Sequence, residues 1–299
     1  MPHNSKSTDG EPIRLFRQHG IEIHQFTSSI MLLQSVGDFL RTHEAENNLV
    51  LGICQDIASG KYAHGPPPLL LAIQEQGIPV GVAIMTPPHN LLITRLTDAA
   101  INVLIGVLVD EEISVPGISG LTPSAATFAE QWSRRTDQKP RLQFEQRIYS
   151  CERVNPVPLA AGHVRPAESR DGALLVEWIR RFSEEIQLRL PPGDLENFVA
   201  AGIARTSFFV WENGEPVAMA AASRETGRGI AINYVYTPPQ YRGHGYATSC
   251  VAMLTQRLLA SGKSFCCLYT DLANPTSNSI YQRIGYRPVC DAQMWQFES

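Results

Sequence analysis

The chain has 299 residues and a mass of 33.0 kDa, with 43% apolar, 18% charged and 8% aromatic residues, which excludes fibrous, coiled-coil and disordered classes. Its 25 basic and 29 acidic side chains give a formal charge of −4, so the electrostatic term that dominates nucleic-acid binding is missing. The longest nearly unbroken apolar run, 99–109, contains Asn102 and is about half of a bilayer span.

Six cysteines (Cys54, Cys151, Cys250, Cys266, Cys267 and Cys290) form no CxxC pair and no metal-ligand spacing with the eight histidines. The first ten residues are polar and do not resemble the apolar segment of a signal peptide. The expectation is a cytoplasmic protein in a reducing compartment, its thiols packed as small hydrophobes, with no metal, no membrane and no nucleic-acid partner.

In chain order, a strand at 21–26 precedes a helix that carries Val36, Phe39, Leu40 and His43 at three- and four-residue spacing. A hairpin follows over 69–85, turning at Gly77 in the pattern E-x-G-x-P-V. Next come a helix at 97–112, read as an addition, and a segment Val115-Pro116-Gly117-Ile118-Ser119-Gly120-Leu121-Thr122-Pro123. Pro87-Pro88-His89 lies in a loop of this hairpin, either a plain surface turn or part of the lining of a pocket.

The stretch 155–162 is proline-rich, small and uncharged, as expected of a linker. Beyond it the plan repeats. A strand at 164–166 and a helix with Leu174, Leu175, Trp178 and Phe182 lead to a second E-x-G-x-P-V hairpin at Gly214, 137 residues after Gly77. Two lobes of about 140 residues, 11–155 and 163–299, are the economical division, a common domain size; one sheet shared by both halves is the alternative.

In the second lobe a strand at 230–237 stops at Pro238-Pro239 and leads through Gln240-Tyr241-Arg242-Gly243-His244-Gly245 into a helix with apolar residues at 247, 250, 251, 254 and 258. Gly262 ends that helix. Free N–H groups of a first helical turn, the helix dipole and glycines without side chains suit a pyrophosphate, and Arg242 adds a cation. A dinucleotide-binding reading fits poorly, because Thr248 stands where the third glycine should fall. A further strand at 264–270 precedes a helix from Asn274-Pro275 to Gly285, on which Asn274 and Tyr281 lie nearly two turns apart and so on nearly one side.

Gln240-x-x-Gly243-x-Gly245 followed by Asn274-x-x-Ser277-x-x-x-Tyr281-x-x-x-Gly285-Tyr286 resembles the acetyl-CoA-binding core of the GNAT superfamily of N-acetyltransferases. The resemblance covers 163–299, and 11–155 looks like a degenerate copy that would not bind CoA, lacking the Arg, the GxG and the N-x-x-S-x-x-x-Y helix. It implies an α/β (α+β) fold of two such lobes, each a mixed, mostly antiparallel sheet flanked by helices.

It also implies roles. Backbone groups of Val235, Tyr236 and Thr237 would hold the pantetheine arm, and N–H groups of Arg242, Gly243, His244, Gly245, Tyr246 and Ala247 the pyrophosphate. Asn274, with Ser277, would meet the cofactor, and Tyr281 would reach its sulfur and protonate the departing thiolate. Backbone N–H groups near Tyr236 and Thr237 would receive the developing oxyanion.

The acceptor would be a primary amine attacking the thioester directly, a small molecule fitting better than a protein N-terminus, and homodimerisation stays open. The base is unassigned: Asn233 stands where related enzymes often carry a glutamate, leaving Tyr269 or Asp271 as candidates. A CoA-binding sensor without transfer, or use of another acyl-CoA, are the alternatives. A thiol nucleophile at Cys266 or Cys267 lacks a neighbouring base in the sequence.

Overall fold

The computed structural model describes residues 14–60, 65–187, 190 and 193–298. They form two compact units: one takes the chain up to Ile148 together with 271–273 and the residues from Val289 on, the other takes Tyr149–Thr270 and Asn274–Pro288.

The first unit runs β1 (Arg14–Gln18), β2 (Ile21–Gln25), α1 (Ser29–Thr42), α2 (Asn48–Ala58), β3 (Leu69–Glu75), β4 (Ile78–Met85), β5 (Leu91–Ile93), α3 (Asp98–Asp110), β6 (Gly117–Leu121), α4 (Ser124–Thr136) and β7 (Lys139–Cys151). The second runs β8 (His163–Pro166), α5 (Gly172–Glu185), α6 (Leu195–Ala204), β9 (Phe208–Glu212), β10 (Pro216–Ser223), β11 (Gly229–Tyr236), α7 (Tyr246–Ala260), β12 (Phe265–Asp271) and α8 (Pro275–Ile284), followed by β13 (Arg287–Glu298). Residues 289–298 of β13 belong to the first unit, where they lie antiparallel to β6 with Ala292 opposite Leu121 and Gln296 opposite Gly117.

Each unit is a mixed, mostly antiparallel sheet covered by helices on both faces. In the second the strand order is β12-β11-β10-β9-β8. Alternation along β9 explains the two layers: Phe209 and Trp211 join α7 and α8 in one core, while Phe208 and Val210 join α5 and α6 in the other. The first unit repeats this, Leu71 and Ile73 packing with α3 and α4, and Leu70 and Ala72 with α1 and α2. Burying side chains of this size is worth roughly 1.5–3 kcal/mol each.

Both expected hairpins form, and in each the turn glycine needs a backbone that other residues avoid: φ is 80° at Gly77 and 78° at Gly214. Two expectations change. The 97–112 helix is no addition: β4, β5, α3, β6 and α4 follow the same order and strand directions as β10, β11, α7, β12 and α8, with β5–β6 and β11–β12 parallel. The first-lobe counterpart of the glycine loop is therefore 94–97, not 115–123, which forms β6 and the turn after it. Pro87-Pro88-His89 lies in the turn between β4 and β5.

The 155–162 stretch is docked rather than free. Asn155 N–H donates to Ile284 O at 2.7 Å, Ala160 N–H to Ser249 Oγ at 2.8 Å, and Trp211 Nε1–H to Ala161 O at 2.9 Å. Glycine is required at 285, where a Cβ would stand 2.6 Å from Arg153 O.

Candidate functional site

The site is built where β11 parts from its neighbour. Parallel pairing with β12 covers only Gly229, Ile230 and Ala231, opposite Phe265, Cys266 and Cys267. Beyond it β11 carries a bulge: its register against β10 jumps between Ala221–Asn233 and Met219–Tyr236, and Tyr234 takes φ 48°. The bulge puts Tyr234 and Tyr236 in the α5/α6 core, while Val235 packs toward α7 and α8. Two strands that diverge after a short ladder leave the β12-facing edge of β11 without a strand partner beyond Ala231, although Tyr236 stays in register with Met219 of β10 and Thr237 O is taken by a side chain; such an edge is the feature an extended amide-containing arm needs.

At the end of β11, residues 239–241 make one 3₁₀ turn and α7 begins. Gly243 has φ 82° and Gly245, the N-cap, has φ 78°. A Cβ at 243 would meet nothing within 4 Å, so backbone conformation rather than crowding calls for glycine there. No side chain caps α7, and its first backbone bond runs from Ser249 N–H to Gly245 O. The N–H groups of Tyr246, Ala247 and Thr248 thus have no partner within the helix and carry the positive end of its dipole. His244 lies flat against Tyr246, ring centroids 5.7 Å apart.

The matching place in the first unit is closed. Thr97 caps α3 by accepting from Ala100 N–H, and Ser124 Oγ accepts from Leu96 N–H at 2.9 Å and donates to Leu96 O at 3.1 Å. No glycine occurs at 94–97.

Arg242 is engaged. Its Nη2 donates to both oxygens of Glu185 at 2.7 and 2.8 Å, its Nε donates to Thr237 O at 2.9 Å, and its guanidinium carbon is 5.9 Å from the Tyr236 ring centre. It ties the end of α5 to the loop. Burial, with Glu185 nearby, raises the Tyr236 phenol pKa. Glu185 has no motif of its own and the sequence reading passed over it.

On α8, Asn274 Oδ1 accepts from Ser277 N–H at 3.0 Å, so the carbonyl side of this amide is spent on the cap. Tyr281 is 8% exposed, with the Tyr286 ring 5.9 Å away edge-on. Burial pushes its phenol up to about 12. Among the described residues no hydrogen-bond partner is found for its hydroxyl. Val235, Tyr246, Ile280 and Tyr281 share the α7/α8 core, which brings the strand, the loop helix and the tyrosine together.

Of the candidate bases, Asp271 Oδ1 accepts from Ala273 N–H at 2.8 Å. Asn233 Oδ1 is buried without a partner, as is Thr237 Oγ1. Tyr269 lies beneath Arg224, whose guanidinium carbon is 5.6 Å from the ring centre. The six cysteines form no disulfide with one another, and burial pushes the thiols of Cys54 and Cys250 up to about 12 and raises that of Cys266 as well, which makes these three poor nucleophiles. Among the described residues no group of three His, Cys, Asp or Glu side chains is placed to hold a metal ion, and no helix is long and apolar enough to cross a membrane. A cavity of about 580 Å³ between α5 and α6, lined by Val176, Val199 and Ile203 among others, contains none of the candidate residues.

Residues 173–286 match the model of the acetyltransferase (GNAT) family. Solved structures similar over nearly the whole chain include a protein from Drosophila (TM-score 0.62, 11% identity, covering 93% of this chain and 98% of that one). A GCN5-related N-acetyltransferase from Sphaerobacter thermophilus gives 0.58 at 11% identity, covering 94% and 96%, and a GNAT-family acetyltransferase from Colwellia psychrerythraea gives 0.54 at 14%, covering 92% and 98%. Among curated proteins none matches the sequence.

Proposed function

With a GNAT acetyltransferase domain over 173–286 as the premise, we propose that the protein moves an acetyl group from acetyl-CoA to a primary amine on a small molecule. The observation that carries this reading is the conjunction of an uncapped helix start behind two positive-φ glycines with a strand that leaves its parallel partner after three residues. The residues fit the cofactor: a helix start with no side-chain cap behind two positive-φ glycines suits its diphosphate, and the edge of β11 that β12 leaves beyond Ala231 suits its amide-bearing arm. Binding would be confined to the second unit, since the side chains of Thr97 and Ser124 occupy the matching groups of the first.

Acetyl-CoA supplies the activated acyl group as a thioester. Tyr281, its phenol raised by burial and so protonated throughout the neutral range, would donate to a departing thiolate. Backbone N–H at 236–237 would stabilise the developing oxyanion from fixed positions on the backbone. Arg242 holds the loop shape through Glu185 and Thr237 O.

One observation favours a second reading. Asn233 cannot take a proton from an ammonium, and a site without a carboxylate at that position suits a CoA sensor. Calorimetry with acetyl-CoA and with free CoA, followed by thiol release over a panel of amines, separates the two. The transferase reading expects saturable binding and amine-dependent thiol release. Binding without release establishes the sensor, faster release from longer acyl-CoAs changes the donor, and no heat at all removes both readings.

A further inference from the structure

On the α5/α6 face of the second unit, next to the mouth where β11 leaves β12, several polar side chains are left without partners. β10 ends at Ser223, opposite Ala231, and strand alternation puts Ser223, Asn233 and Tyr269 on this one face. Ser223 Oγ, Asn233 Oδ1 and Arg224 Nε are each buried and without a hydrogen bond. Arg224 follows the strand at φ 47°, a left-handed conformation costly for a residue with a side chain. No carboxylate among the described residues answers its charge. Neighbouring Glu225 is paired with Lys263 instead.

The surroundings narrow what this cation is for. Its guanidinium is held over the Tyr269 ring. Beyond lies an apolar wall, Tyr234 packed against Phe182, Phe198 and Phe208 at 5.7, 6.0 and 6.2 Å between ring centres. A half-buried arginine with an unpartnered Nε, fixed against one aromatic ring and within electrostatic reach of Tyr234, is a preorganised receptor for an oxyanion. The buried amide oxygen of Asn233 lacks a donor, which an amine supplies.

We propose that this is the acceptor pocket and that the acceptor is an amine bearing an anionic group, a carboxylate or a phosphate, received by Arg224 while its nitrogen approaches Asn233. The assignment rests on the transferase reading above for the identity of the reaction, but not for the binding.

The test uses the full chain and matched pairs of amines: β-alanine and γ-aminobutyrate against their methyl esters, and O-phosphoethanolamine against ethanolamine. One arm measures kcat/KM with acetyl-CoA; the other measures binding of the same amines by calorimetry in saturating CoA, where nothing can be transferred. The expected result is a preference of about 10- to 100-fold for the anionic member of a pair, the size of one charge-assisted hydrogen-bonded contact. The carboxylate and phosphate pairs show which anion is taken. In Arg224→Met that ratio falls to near one and in Arg224→Lys it is partly restored, with CoA binding reporting that each variant is folded.

Turnover of neutral amines as fast as of anionic ones, or an unchanged ratio in Arg224→Met, overturns the pocket and leaves the transferase standing. Binding of anionic amines through Arg224 without any turnover removes the transferase and leaves the pocket. If no anionic amine is either bound or turned over, the proposal is overturned.

Discussion

Tyr281 combines deep burial with a phenol pushed up to about 12, and this fixes the sign of its pH effect. In the role proposed for it, Tyr281 must carry its proton, so the raised value would keep it competent as pH rises, and kcat should hold its plateau to pH 10. A fall with an apparent pKa of 8 to 9 that vanishes in Tyr281→Phe would assign it another role. Tyr281→Phe itself should lower kcat by about 10²-fold or more with CoA affinity nearly intact, as expected of a general acid. Gly243 tests the loop: an alanine there meets no steric clash but must adopt φ 82°. That costs about 1–2 kcal/mol, so Gly243→Ala should weaken CoA binding by roughly tenfold in calorimetry. The glycines, Asn274 and Tyr281 were legible as residue types at fixed spacing. Glu185 and Arg224 were not, because each acquires meaning only from a partner, or the lack of one, that the fold brings near.

Elements were read well where one local rule decided them. The two hairpins announced themselves by a turn glycine between β-prone runs, and α8 by Asn274-Pro275 at one end and Gly285 at the other. The helices α2 and α6 went unread, each following another helix without a strand between them to mark a new element. Counterpart elements were matched wrongly in the first lobe because glycine was used as the marker, and its counterpart loop has none. The junction of β8, α5 and β9 offers a stability test. Arg165 donates to both oxygens of Asp171 at 2.7 and 3.0 Å and to Glu212 at 2.6 Å, and Asp171 is 4% exposed. Burial raises the Asp171 pKa, but the bonds from Arg165 and from Glu168 N–H outweigh it and leave it lowered. Its contribution is therefore whole above the ordinary carboxylate pKa of about 4 and lost as pH falls through the lowered value. Arg165→Met should cost about 3 kcal/mol in urea unfolding at pH 7 by leaving buried acids unpaired, and markedly less at pH 3.

For the molecule as a whole, sequence repetition led to the expectation of two lobes, 11–155 and 163–299; the order of elements does repeat, but the compact units divide at Ile148 and Tyr149 and residues from Val289 on go with the first. What repetition could not reveal is that the chain returns. Residues 289–298 complete the first unit's sheet, with Arg147 bound to Asp291 at 2.7 and 2.9 Å and Phe297 stacked 5.8 Å from Trp132. Partners some 150 residues distant leave no local trace. Phe297→Ala should destabilise the first unit by about 3 kcal/mol, seen as an earlier transition in denaturant. Deleting 289–298 should leave that unit unfolded even though the segment matched by the family model, 173–286, is untouched.

This return of the chain bears on biosynthesis. Domains generally fold as they leave the ribosome, the amino-terminal one first. Here β6 waits for its β13 neighbour until everything in the second unit has been translated. The nascent amino-terminal half must stay unfinished for the whole of that interval with a bare strand edge, the surface on which chaperones act and aggregates grow.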